Sequence, residues 1–176
     1  FSAVSLAWKV NEDFFKNVKQ IDALKVRGGW GQTGNSQTKG SYYEYYDQIT
    51  GTNNFSPVFG DDQQIADAQY IFYGMGSPNY HWETSEMTNI GIDLNMFNGK
   101  LQTSAEYYIK NVNDLLIQKG MSSVFGRNEG NPWVNLGSLQ NKGLELMAQW
   151  RDHLGKIEYG ISGNFTTIDN TVKELI

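Results

Sequence analysis

Six stretches of the chain alternate apolar and polar residues with a period of two, the pattern of a strand whose two faces meet different surroundings. The first sets Val4, Leu6, Trp8 and Val10 against Ser5, Ala7 and Lys9. The second sets Leu24, Val26, Gly28 and Trp30 against Lys25, Arg27 and Gly29. Ile90, Ile92, Leu94 and Met96 form the third, with Asn89, Gly91, Asp93 and Asn95 opposite. The fourth has Leu101, Thr103, Ala105, Tyr107 and Ile109 on one side and Gln102, Ser104, Glu106, Tyr108 and Lys110 on the other. In the fifth, Leu144, Leu146, Ala148 and Trp150 oppose Glu145, Met147, Gln149 and Arg151. The sixth carries Ile157, Tyr159, Ile161, Gly163 and Phe165 against Glu158, Gly160, Ser162 and Asn164. Of the 26 positions on the apolar sides none is charged, where the chain's 19% of charged residues would put about five at random. The pattern predicts an all-β antiparallel meander of about six strands, near residues 3–10, 24–32, 86–97, 101–117, 141–151 and 156–168.

Alternation by itself also fits a soluble sheet packed on a core. The connections separate the two readings. Asn98-Gly99-Lys100 joins the third strand to the fourth, and Asp152 to Lys156 joins the fifth to the sixth. Residues 34–83 and 118–138 form much longer links. Short and long connections alternate in outer-membrane barrels, whose periplasmic turns are tight and whose extracellular loops are long. A compact sandwich rarely needs a loop of some fifty residues. On this reading the link from Asn11 to Ala23 is periplasmic. Asn11 is a candidate cap for a short helix, with Glu12 and Asp13 in its first turn and Phe14, Val18 and Ile21 on one face. Such a helix would lie at the membrane interface; a structured turn is the alternative. Trp8, Phe97, Trp150 and Tyr159 fall beside the short connections, where amphipathic rings sit at headgroup level.

Composition sharpens this. Nineteen Gly, 14% aromatics and 3 Pro favour strands and polar loops. Mean hydropathy is −0.51, and no run approaches the ~18 apolar residues of a membrane helix. Neither observation bears on a barrel, whose strands average to polar. A net charge of −5 argues against a nucleic-acid partner, which calls for a clustered basic face. Without cysteine there is no disulfide framework, thiolate metal site or cysteine nucleophile. Phe1-Ser2-Ala3-Val4 reads as neither a signal peptide nor a natural start, so the chain is expected to be a piece of something longer.

Candidate chemistry is sparse. Gly29-Trp30-Gly31-Gln32-Thr33-Gly34 matches G-x-G-x-x-G, but a dinucleotide site needs a helix to start there, and Asn35 to Gly40 is a polar stretch. Glycines letting strands pack closely account for it. His81 and His153, the only histidines, fall on opposite sides of the proposed membrane, so they share no metal. Asp61, Asp62 and Asp67 lack EF-hand spacing. Nothing sets a nucleophile against a base, so no enzyme activity, cofactor or metal is expected. The loop aromatics carry more. Tyr42, Tyr43, Tyr45 and Tyr46, with Trp133 in the next long loop, are candidate substrate-binding residues, because rings with polar handles suit ligand sites. Loops packing on one another is the structural alternative. Lys25, Arg27, Asp93, Glu106, Lys110, Glu145 and Arg151 are expected to line a wet interior.

The stretch Leu24-Lys25-Val26-Arg27-Gly28-Gly29-Trp30-Gly31-Gln32-Thr33-Gly34-Asn35 resembles a strand motif of SusC/RagA-type TonB-dependent outer-membrane transporters. Asn79 to Ser85 with Asn89 to Asp93, Phe97 to Leu101, Glu106-Tyr107-Tyr108, Asp114-Leu115-Leu116 and Asn135 to Leu146 are similar to the family's later motifs, in the family's order. The resemblance implies part of a large barrel in the outer membrane of a Gram-negative cell. Its family imports oligosaccharides or peptides with energy relayed through TonB, commonly with a SusD-like surface lipoprotein as partner. No plug domain or TonB box is recognised in residues 1–176, and six strands cannot close a barrel of about 22. A soluble carbohydrate-binding β-domain is the alternative from another class.

Overall fold

The computed structural model describes residues 1–16, 18–35, 45–52, 58–59, 64–65, 69–120, 122 and 131–175. Among them ten strands form: β1 (Ala3–Lys9), β2 (Ile21–Asn35), β3 (Gln48–Thr52), β4 (Val58–Phe59), β5 (Gln64–Ile65), β6 (Gln69–Gly74), β7 (Glu83–Met96), β8 (Leu101–Gln118), β9 (Trp133–Leu154) and β10 (Ile157–Leu175). Six build one sheet in the order β1-β2-β7-β8-β9-β10, so every strand lies beside its predecessor in that sheet. Two small antiparallel sheets, β3 with β6 and β4 with β5, fall between β2 and β7. The chain divides into two compact units, each described by itself. One comprises Phe1–Asn35, Thr84–Asn113 and Ser138–Leu175, the other Ser36–Glu83 and Asp114–Gly137.

In the first unit, pairing sets the two faces. Val4 lies opposite Trp30, Leu6 opposite Gly28 and Trp8 opposite Val26. Ile90 lies opposite Tyr107, Ile92 opposite Ala105, Leu94 opposite Thr103 and Met96 opposite Leu101. Directly opposed residues of an antiparallel pair share a face, so the apolar positions read from the sequence line up across strands. Gly143 is close to the Tyr108 ring and Gly160 to the Arg151 stem. That puts Leu144 and Leu146 of β9 and Ile161 and Phe165 of β10 on the apolar face as well.

The apolar band has a bilayer's dimension. It spans Leu101 to Ile109 on β8 and Ile157 to Phe165 on β10, nine residues each, and a tilted membrane strand needs about 9–11. Beyond it the same face turns polar. There the Trp30 indole N–H donates to Glu86, the Gln140 amide donates to Asn111 at 2.8 Å, and Lys142 pairs with Asp169 at 3.1 Å. Tyr107 and Trp30 mark this upper margin. Strands of 22 residues (β9) and 19 residues (β10) are about twice the crossing length, so they project beyond the hydrocarbon.

At the opposite margin the connections are short and tied together. Phe97, Asn98 and Gly99 take φ of 60°, 57° and 79°, an unfavourable region for a phenylalanine. The turn is held from outside: the Phe97 N–H donates to Gln20 O at 3.0 Å, the Gly99 N–H to Asp22 Oδ2 at 2.8 Å, and the Arg151 N–H to Lys100 O at 2.8 Å. Gly155-Lys156 alone joins β9 to β10, with φ of 63° at Gly155, the glycine-first pattern of a type II′ hairpin. The link after β1 opens with a three-residue 3-10 turn, Val10–Glu12, without a side-chain cap. Asn11 instead reaches across to β2: its Oδ1 accepts the Leu24 N–H at 3.1 Å, and its amide donates to Asp22 O at 3.4 Å. Phe97 lies 6.1 Å from Trp150, and Trp8 meets Phe14 edge-on at 5.7 Å. These rings form the lower aromatic margin.

No hydrophobic residue is buried among the described ones; Leu6 is 79% exposed, Ile92 48% and Ile161 72%. A soluble sheet of this size would hide such a face. Arginine at Ile92 or Leu146, both on the apolar face, is expected to cost about 2–4 kcal/mol if the site lies near the bilayer midplane. Equilibrium unfolding of the intact barrel in lipid vesicles measures this, and an unchanged midpoint would reverse the face assignment.

Candidate functional site

The polar face of the first unit carries a charged cluster built by β2, β7 and β8. Arg27 is central: its guanidinium pairs with Glu106 and lies 3.3 Å from Asp93. Lys25 approaches Asp93 at 3.9 Å, and the Asn89 amide donates to Glu106 at 2.7 Å. A Cβ added at Gly91 would sit 3.0 Å from the Arg27 Cζ, so Gly91 leaves the plane in which the guanidinium lies. Arg27, Asp93 and Glu106 are half-buried. Four of the residues expected to line a wet interior, Lys25, Arg27, Asp93 and Glu106, are thus one network of ion pairs.

Beside the cluster, the G-x-G-x-x-G stretch continues as strand to Asn35, so no helix N-terminus faces a phosphate there. Gly29 and Gly31 instead lie opposite Ser5 and Ala3. A Cβ at Gly29 would meet the Asn89 side chain. The result is a low floor to an open depression of about 460 Å³, edged by Ser85, Asn89 and Lys110.

The second unit holds a different constellation. Asn135 uses its whole amide: Oδ1 accepts the His81 N–H at 3.0 Å, while Nδ2 donates to the carbonyls of His81 and Asp114, both at 2.8 Å. His81 Nδ1 faces Asn79 O at 2.6 Å and Nε2 faces Asp114 Oδ1 at 3.3 Å. Both ring partners are acceptors, so the geometry suits the imidazolium, which alone has two N–H groups. Hydrogen bonding to the Asn79 carbonyl, with Asp114 adding to it, raises the His81 pKa above the ordinary value of 6.5. Asp114 has φ of 60°. Glu83 Oε1 accepts the Leu116 N–H at 2.9 Å, and Gly137 has Ile117 and Leu115 against it. The node joins residues far apart in sequence, and spacing gives no hint of it. Its members lie in Asn79 to Ser85, Asp114-Leu115-Leu116 and Asn135 to Leu146, all stretches on which the resemblance was drawn.

Of the candidate binding residues, Tyr42 and Tyr43 lie outside the described residues, as do Asp61, Asp62 and Asp67. Tyr45 and Tyr46 are exposed, with ring centroids 4.1 Å apart at 40°. Asp47 Oδ1 accepts the Gly76 N–H at 2.9 Å, and the backbone of Tyr45 to Asp47 occupies the space a Gly76 side chain would need. Trp133 opens β9 and is half-buried. No cluster of three or more His, Cys, Asp or Glu suited to a metal occurs among the described residues.

The family described as TonB dependent receptor-like, beta-barrel, matches residues 1–174. The chain belongs to that family. This TonB-dependent receptor barrel is 30% identical over 152 residues to TonB-dependent receptor P26 of Formosa agariphila, covering 83% of the chain and 14% of that protein. It is 28% identical to TonB-dependent receptor SusC of Bacteroides thetaiotaomicron over 179 residues, 99% of the chain and 17% of SusC. Among solved structures, the RagAB peptide transporter superposes with a TM-score of 0.78 at 22% identity, over 98% of this chain and 18% of the matched chain. The barrel resembles the SusC/RagA type, as its motifs implied, and its place is the outer membrane. The chain spans about one-seventh to one-sixth of the length of the curated relatives it matches.

Two outcomes follow for this receptor barrel. A double-mutant cycle between Arg27 and Glu106 is expected to give a coupling of about 0.5–1 kcal/mol, shrinking as salt is raised; zero coupling at low salt would make the pair incidental. For His81 the folded pKa is raised, so its contribution is fully present below pH 6.5 and is lost as pH climbs through the higher folded value. An imidazole NMR titration, identified by its loss in His81→Gln, should show both ring nitrogens protonated past the ordinary midpoint. A midpoint at or below 6.5 would contradict the node's geometry.

Proposed function

We propose that this chain is part of the wall and loop base of an outer-membrane nutrient transporter that imports oligosaccharides or peptides, energised through TonB. The observation that carries the reading is the two-faced sheet. Its apolar band has the span of a bilayer crossing and no internal cover, while its other face carries the Arg27 network, suited to a wet interior. Family membership and likeness to SusC and to the RagAB peptide transporter support transport over catalysis, so the chain is read as non-enzymatic. A SusD-like surface lipoprotein is the partner this reading implies, with TonB engaged elsewhere in the protein.

Substrate contact is assigned to the tyrosine-rich segment, Tyr42, Tyr43, Tyr45 and Tyr46, together with Trp133. Tyr45 and Tyr46 present adjacent exposed rings on a backbone pinned through Asp47 and Gly76. Such rings stack on the apolar face of a sugar or on an apolar peptide side chain, while their hydroxyls bond its polar groups. The exposed apolar band weighs against a soluble carbohydrate-binding domain.

The test uses the intact transporter. Calorimetry against oligosaccharide and peptide pools should find one class that binds. Tyr45→Ala with Tyr46→Ala is expected to weaken it about tenfold with barrel assembly intact. Unchanged affinity would remove these rings from the site, and partitioning of the intact protein into water without detergent would remove the transporter reading itself.

A further inference from the structure

The link between β1 and β2, residues 10–20, is the longest connection at the short-turn margin and sets Phe14, Phe15 and Val18 among polar residues. Phe14 is 70% exposed, Phe15 39% and Val18 38%. Its acidic groups are engaged: Glu12 pairs with Lys9 at 3.3 Å, and Asp13 accepts the Trp8 indole N–H at 2.7 Å. Asp22, just beyond, accepts the Gly99 N–H. Lys16 and Lys19 are exposed, and among the described residues they have no ion-pair or hydrogen-bond partner. The link therefore presents apolar side chains and two unneutralised ammonium groups.

Its direction is set by Trp8. Trp8 lies opposite Val26 on the apolar face, in line with Leu6 opposite Gly28, and Phe14 packs edge-on against the Trp8 ring. The link thus folds toward the hydrocarbon side of the wall, not toward the face that holds Arg27 and Asp93. Asn11 fixes its root through two hydrogen bonds to β2.

We propose that this link is a lipid-binding foot. Phe14, Phe15 and Val18 enter the boundary between acyl chains and headgroups of the inner leaflet, and Lys16 and Lys19 bind phospholipid phosphates. Apolar side chains flanked by cations favour that depth, because the stems stay in the apolar layer while the charges reach the phosphates. The occupant is a phospholipid surface, continuous with the lipid already against the wall.

The experiment reconstitutes the intact transporter, freed of other cysteines, into bilayers with and without anionic phosphatidylglycerol. An environment-sensitive fluorophore is placed at Phe15→Cys, at Val18→Cys, or at Ile92→Cys as a reference on the wall. Blue-shifted emission is expected at 15 and 18, quenched by shallow nitroxide lipids and shielded from aqueous iodide. Phosphatidylglycerol should deepen the shift, and Lys16→Gln with Lys19→Gln should abolish that added response. Aqueous emission at 15 and 18 with lipid-like emission at 92 overturns the foot alone. Aqueous emission at all three sites overturns the membrane wall on which the proposal rests. Insertion indifferent to phosphatidylglycerol and to the lysine substitutions overturns the phosphate contacts. Shielding that appears only with added soluble periplasmic proteins assigns the surface to a protein partner and overturns the proposal as well.

Discussion

A wall between hydrocarbon and water must satisfy its backbone hydrogen bonds within itself while keeping its two faces chemically opposite. Strand pairing meets the first demand, and its register decides the second. A one-residue slip of β7 against β8 would carry Asp93 and its neighbours to the lipid side and Ile92 to the wet side. The rest of the fold can be read as protection of that register. Cross-strand bonds at the lower margin join Gln20 to Phe97, Asp22 to Gly99 and Lys100 to Arg151. The Arg27 network does the same from the polar face, since Lys25, Arg27, Asp93 and Glu106 meet only when β2, β7 and β8 are in register.

The same constraint explains why glycine is frequent on this wall. Side chains on the polar face are large where they make the network and absent where the network needs room. Gly91 gives way to the Arg27 guanidinium, Gly29 to the Asn89 amide, and Gly143 to the Tyr108 ring and the Thr167 carbonyl. A motif that resembles a nucleotide-binding loop in one dimension is therefore a packing device in three. Its glycines do not turn the chain; they let neighbouring side chains lie close to the backbone, Asn89 at Gly29, Ala3 at Gly31 and Phe1 at Gly34.

How far the fold was legible follows from where the two faces differ. Within the band, each position answers to lipid or to water, and Ile90 to Met96, Leu101 to Ile109 and Ile157 to Phe165 announce their strands. Outside it both faces meet polar surroundings, and selection for alternation disappears. Residues Trp133 to Gln140 show this: β9 begins at Trp133, yet Val134, Leu136, Ser138 and Gln140 on one side differ little from Trp133, Asn135, Gly137 and Leu139 on the other. For the same reason β10 runs on past Ile168 to Leu175 without an alternating pattern, its apolar Val172 and Leu175 set among polar residues. The short strands β3 to β6 fall inside what reads as one long loop, and β4 and β5, at two residues each, are too short to show a period. Of the candidate site, the charges at Lys25, Arg27, Asp93 and Glu106 were visible as one face, but their mutual bonding depended on register. The tyrosines were visible as composition alone.

The His81 node shows what separate motifs can encode together. Asn79 to Ser85, Asp114 to Leu116 and Asn135 to Gly137 look like separate signatures along the chain. In space they form one joint, in which a single asparagine amide satisfies three backbone groups and a histidine ring spans a carbonyl and a carboxylate. Strands leaving the hydrocarbon lose the lipid that enforced their faces, so their ends need other constraints. A side chain that copies backbone hydrogen bonding supplies one at Asn135, and the left-handed residue Asp114 supplies the bend that brings its carbonyl to the amide. The node is a joint between strand ends whose strength depends on the charge of one ring.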